Sequence, residues 1–110
     1  MDRTMIDRYE AGSVALAHAM EGLDEAHLDV HPIPGTWSIR ELVVHLMDSD
    51  QVGSFRLKSV IAHDSPTIHA YDQDAFIARL HVESLDLATV LQAFTANRKA
   101  TAQLLRALPD

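Results

Sequence analysis

Histidine has the widest chemical reach of any residue in this chain, because an imidazole can exchange a proton near neutral pH or ligate a divalent metal. Of the seven histidines, His45 stands apart. It lies in the stretch Pro-Gly-Thr-Trp-Ser-Ile-Arg-Glu-Leu-Val-Val-His-Leu-Met-Asp-Ser-Asp, residues 34–50. There Ile39, Leu42, Val43, Leu46, Gly53, Leu57 and Val60 recur at three- and four-residue spacing and form one stripe on a helix. Turning about 100° per residue, His45 falls roughly a quarter-turn off that stripe, near Ser49 and Arg56. It is neither plainly core nor plainly solvated. Among the others, His27 and His31 lie in the long loop ahead of this helix, and only His31 is close enough in sequence to its start to approach His45. His63 and His69 lie beyond the far end at a spacing that fits no standard zinc pattern, His81 follows a short helix, and His18 points away from an apolar face. Each of these is expected to be structural or solvated.

Several chemistries can be set aside. With no cysteine, the chain offers no disulfide framework and no thiolate nucleophile or ligand. It has no Ser-His-Asp spacing, no glycine-rich phosphate loop and no Glu-x-x-His motif of the di-iron bundles. A net charge of −7, without clustered Lys and Arg, argues against a nucleic-acid or anionic-membrane partner. The start, Met-Asp-Arg-Thr-Met-Ile-Asp, is too polar for a signal peptide, and no apolar run approaches the roughly eighteen residues of a membrane span. The expectation is a soluble cytoplasmic protein whose 110 residues form one domain, 1–110.

The elements that must position His45 read as all-α, with three long amphipathic segments, one short one and no strand-like alternation. Ser38 stands three residues before Glu41, the spacing of a capping box in which each side chain satisfies the other's amide. The second helix therefore starts at Ser38 and runs to about residue 62, some ~35 Å at 1.5 Å per residue. Ahead of it, Ile6, Tyr9, Leu16, Ala17 and Met20 define the face of a first helix, capped by Thr4 or Asp2 and ending near Gly22. Between them lies a loop over residues 24–37, with Leu23, Leu28 and Trp37 expected to plug the end of the bundle. Asp72 caps a short helix to about Leu80 whose apolar face is Phe76, Ile77 and Leu80. Ser84 or Asp86 opens the last segment, where Leu87, Val90, Leu91, Phe94, Thr101, Leu105 and Leu108 make a long stripe that Pro109 stops. Asp48, Asp72 and Asp74 fall at helix ends or on solvated faces.

Two charges interrupt apolar stripes, with opposite sign. Asp50 falls in the buried face of the second helix and Arg98 in that of the last. Either charge buried alone would be costly, whereas a hydrogen-bonded pair across antiparallel helices offsets much of the desolvation. Asp50 and Arg98 are expected to face each other, the alternative being that one or both reach out to an edge.

With these features together, the chain resembles the DinB-like superfamily, which includes the YfiT group of metal-dependent proteins. The resemblance rests on Pro34-Gly35-Thr36-Trp37-Ser38-Ile39 followed by Glu41, His45-Leu46 and Asp50, then on Tyr71-Asp72-Gln73-Asp74-Ala75-Phe76 and on Phe94-x-x-x-Arg98. It implies an up-and-down four-helix bundle whose second helix supplies the first histidine of a divalent-metal site, zinc or nickel. That histidine would be His45. It also implies thiol transferase or isomerase chemistry, in which a metal holds a low-molecular-weight thiol as thiolate for attack on an electrophile. The family's other two ligands come from a fourth helix as His-x-x-x-His or a variant with a carboxylate, and the chain reaches Asp110 before such a helix. The remaining ligands are expected outside this chain or from a partner.

Three long stripes without a fourth helix leave an apolar groove, filled either by chain beyond Asp110 or by a second copy in a homodimer. Two classes of function stay open. One is a metal-dependent transferase or isomerase acting on small electrophiles with a thiol cosubstrate. The other is a non-catalytic, dimerising helical bundle that has lost the metal site.

Overall fold

Four α-helices and two short 3-10 turns make up the computed structural model, which describes residues 2–109. The order is α1 (Arg3–Ala19), a turn at Glu25–His27, α2 (Ile39–Ala62), α3 (Gln73–Arg79), a turn at Val82–Ser84, and α4 (Leu87–Ala107). The architecture is all-α, with three long helices and one short.

Every α-helix opens on a side chain that accepts from its own first turn, where orphan amides need a partner. Asp2 accepts from Thr4 N at 2.9 Å, Asp72 from Ala75 N at 3.0 Å, and Asp86 from Thr89 N at 3.2 Å. At Ser38 the capping box is complete. Glu41 N donates to Ser38 Oγ at 3.2 Å, and Ser38 N donates to Glu41 Oε1 at 2.9 Å. The start of α2, and so the azimuth of every residue along it, is set by these two bonds.

α4 is the spine, with α1 and α2 both packed chiefly along it. Two apolar clusters form at opposite ends. The larger joins Leu28, Val43, Val44, Ile77, Val82, Leu87 and Val90, with Leu16, Met20, Trp37 and Met47 against it. The smaller joins Ile6, Ala102 and Leu105, flanked by Tyr9, Leu57 and Leu108. Between them lies a polar layer. Asp50 accepts from Arg98 Nε at 2.6 Å, from Asn97 Nδ2 at 2.6 Å and from the Tyr9 hydroxyl at 3.3 Å. Arg98 also donates from Nη1 to Tyr9 O at 2.8 Å and lies 4.0 Å over the Tyr9 ring. The two opposite charges are thus together, and Asn97 and Tyr9 complete the shell that a buried carboxylate requires.

Several faces differ from expectation. On α2, Leu42 and Val60 are exposed, while Arg40, Asp48 and Ser54 are buried with Val43 and Val44. The reason is that α2 meets α4 on one flank and α3 with the Val82–Ser84 turn on another, so two flanks are covered in place of one stripe. Asp48 is accordingly not on a solvated face. Leu23 is exposed and takes no part in plugging the bundle; Leu28 does, and Trp37 packs beside it. α3 buries only Ile77, leaving Phe76 and Leu80 outward.

Arg40, buried on the first turn of α2, ties the 24–37 loop to the bundle. Its Nε donates to Asp29 at 2.8 Å, its Nη2 to Glu25 at 3.1 Å, and its Nη1 to Leu85 O at 2.7 Å. These bonds connect the loop before α2 to the turn before α4.

Candidate functional site

His45 lies on α2 two turns after the capping box, and its ring is held on two sides. The Trp37 ring stands 4.7 Å away at 48°, and Ser49 Oγ lies 3.3 Å from Nδ1, one turn along. Nε2 has no partner among the described residues. A ring oriented through one nitrogen with the other free is how a histidine is prepared for a metal or a proton. Trp37 therefore has two contacts, the larger core cluster and the imidazole face.

Around His45 the helix presents polar groups that the structure leaves incompletely satisfied. Asp48 is buried and accepts no hydrogen bond among the described residues. Burial pushes its carboxyl above the usual carboxylate range, and the nearby His45 lowers it only in part. Tyr71, on the strap between α2 and α3, has its hydroxyl buried beside Ser49 without a hydrogen-bond partner. Burial pushes this phenol up as well, and the Asp48 charge adds to the rise while Ser49 opposes it. Buried polar atoms without partners are uncommon in native proteins, and their concentration here marks the strap face of α2 as distinct from the α4 face.

Two hollows flank this face. One, of about 440 Å³, is an open groove above α4 between α1 and α2, lined by Tyr9, Leu46, Ser49, Gly53, Leu57 and Leu105. The other, of about 200 Å³, lies between the second half of α2 and the strap.

The remaining histidines are dispersed. His31 points back to the start of α2, with Nδ1 at 2.9 Å from Thr36 O and Nε2 at 3.3 Å from Glu41. It thus engages the capping box, one turn before His45. His18 pairs with Glu21 on the surface, His81 with Glu83, and His63 is the C-cap of α2. Among the described residues, no three His, Asp or Glu side chains gather as a metal-binding cluster. A catalytic zinc takes about three protein ligands, so the described residues do not by themselves make a complete centre. No helix of the described residues is long and apolar enough to cross a membrane.

Two features escaped sequence reasoning. Arg40 looked like an ordinary polar residue of a helix start, although the acids Glu25 and Asp29 in the preceding loop were a usable signal. Asp48 could not be found, because its burial depends on where the strap and α3 lie.

The DinB superfamily profile matches residues 8–110. A protein of Oceanobacillus iheyensis named "Putative metal-dependent hydrolase OB0782" is 31% identical over 93 residues, 84% of this chain and 54% of that protein. "Putative metal-dependent hydrolase YfiT" of Bacillus subtilis is 28% identical over 95 residues, 86% of this chain and 53% of the relative. The chain therefore spans about half the length of these curated relatives. The solved structure of Bacillus subtilis YfiT, described as a probable metal-dependent hydrolase with an unusual four-helix bundle topology, superposes with a TM-score of 0.87. It is 25% identical and covers 100% of this chain and 65% of the solved one.

Proposed function

The chain belongs to the DinB superfamily, and from that premise we propose that the protein is a metal-dependent enzyme acting on small molecules, with His45 as one ligand of a divalent zinc or nickel ion. The observation that carries this reading is the presentation of His45. Its ring is clamped by Trp37, its Nδ1 is engaged by Ser49, and its Nε2 is left free. The names of the relatives, which describe metal-dependent proteins, support the same assignment. The further ligands come from outside this chain or from a partner, on a helix seated in the groove above α4, where Leu46, Ser49 and Gly53 form one wall.

A bound divalent metal lowers the pKa of a coordinated thiol or water, so that a strong nucleophile exists at neutral pH. We favour transfer or isomerisation with a low-molecular-weight thiol as cosubstrate, a chemistry whose sulfur comes from the cosubstrate and requires no cysteine of this chain. Hydrolysis, the reaction in the relatives' names, would use water in the same place. Within the chain, Ser49 orients the imidazole and Trp37 shields one face of it from water.

The open groove also supports a second reading: a non-catalytic homodimer in which two copies cover each other's groove.

Elemental analysis of the full-length protein after reconstitution with zinc or nickel tests the first reading. The expected result is stoichiometric metal in the wild type and its loss in His45→Ala, with unchanged melting of the metal-free forms. Wild-type protein that remains metal-free after reconstitution, with a dimer by sedimentation, would overturn it in favour of the second. A metal-loaded protein consuming a model electrophile only when a thiol is added would distinguish transfer from hydrolysis.

A further inference from the structure

We propose that the cavity between the second half of α2 and the strap binds a small organic carboxylate with an apolar body, anchored by Arg56. The cavity holds about 200 Å³ and is walled by Val52, Phe55, Ile68, Tyr71 and Phe76, with Arg56 as its cation. Arg56 differs from the other arginines that make long-range contacts. Arg40, Arg98 and Arg106 each hold at least one carboxylate within 3.1 Å. Arg56 has none within salt-bridge distance among the described residues. Its Nη2 donates to His69 O at 2.7 Å, which fixes the guanidinium against the strap, while its Nε is buried without an acceptor.

Tyr71 forms part of the wall through its ring. The Tyr71 hydroxyl is buried and unpartnered, and its ring is locked edge-on to Phe76, with centroids 4.7 Å apart at 80°. A guanidinium fixed on the strap and without a carboxylate partner, set in apolar walls, suits a group that is anionic, planar and rich in acceptors. A carboxylate matches that description and a neutral or cationic group does not. The one acid on the lining, Asp72, is turned away to cap α3 through Ala75 N at 3.0 Å, so it offers no anchor for a cation. The volume is below the roughly 300–1,000 Å³ of drug-sized sites, which limits the ligand to a single ring or a short chain. The mouth is open, since Phe55 is 66% and Ile68 48% exposed.

The site lies on the face of α2 that carries His45, because residues 45, 49, 52 and 56 follow at helical spacing. It does not rest on the metal reading, because the ligand is held by Arg56 and the apolar walls.

The test is an amide-resolved NMR titration of metal-free protein with phenylacetate and its uncharged isostere phenylacetamide. The expected shifts cluster over residues 52–59 and 67–76, with phenylacetate binding at least tenfold tighter than the amide. Arg56→Met removes that preference, and Arg56→Lys retains part of it, since the charge stays and the fork is lost. Equal affinity for the two probes in wild-type protein would overturn the proposal even if Arg56→Met failed to fold. So would phenylacetate shifts that map to the groove around Arg98, or a preference that survives in a folded Arg56→Met.

Discussion

Asp48 and Asp50 stand two positions apart on α2, both nearly closed to solvent, and their surroundings are opposite. Asp50 looks toward α4 and α1, where Arg98, Asn97 and Tyr9 all donate to it. Asp48 looks toward the strap, where no side chain donates to it and where Tyr71 and Arg56 carry unpartnered atoms of their own. A helix turns about 200° between such positions, so neighbours in sequence serve different regions. The Asp50 side is a closed polar layer between two apolar clusters, and its bonds serve stability. The Asp48 side holds buried groups whose needs the chain leaves open, which is where proteins depart from local optimisation for the sake of a ligand.

The comparison can be broken from the Asp50 side first. Arg98→Met should destabilise by about 3 kcal/mol, because it strands a buried carboxylate. Asp50→Leu combined with Arg98→Met should recover a large part of that loss. Thermal melts of the two variants beside wild type check this, and a single variant that melts like wild type would show that the layer adds no stability. Next in size is Arg40→Met, at about 1–2 kcal/mol, since Leu85 O loses its donor while Asp29 and Glu25 are partly solvated. Hydrogen exchange should then accelerate over residues 24–37 and leave α4 protected.

The Asp48 side predicts a change of the other sign. A carboxyl whose folded pKa is raised binds its proton more tightly in the folded state. Stability is therefore fully present below the unfolded value near ~4 and is lost as pH rises through the folded pKa. Asp48→Asn should accordingly be more stable than wild type at neutral pH, by at most ~1 kcal/mol, with the gain vanishing below about pH 4. Melting curves across pH 3–8 would show it, and a loss of stability at pH 7 would mean that Asp48 has a partner on this face. Smallest of all is Arg106→Ala. It breaks surface pairs to Asp7 and Glu10 and should leave the melt unchanged, because solvated pairs add little.

Much of the fold was legible. The Ser38 and Glu41 spacing announced a cap that the structure makes in full, because capping needs only residues three apart. Asp72 was readable as a cap for the same reason, and Asp86 as one of two candidates with Ser84, of which the structure uses Asp86. Asp50 and Arg98 could be paired in advance because two opposite charges on apolar stripes have few other ways to be buried. Leu42, Val60, Phe76 and Leu80 misled, since an apolar residue at helical spacing says which face could be covered and not whether anything covers it. The strap over residues 63–72 has no periodicity at all, and it is the strap that buries Tyr71 and places His69 O against Arg56.

The sequence by itself determined the helices, the capped start of α2, the all-α class and the buried Asp50–Arg98 pair, because these follow from contacts between residues a turn apart or from the high cost of an unpaired buried charge. Tertiary structure alone decided which flank of α2 is closed, that Arg40 ties the loop down, and that Trp37 lies on the His45 ring. It also decided that a cavity opens beside Arg56. Those features depend on where distant segments come to rest, and spacing along one helix contains no information about what will pack against it.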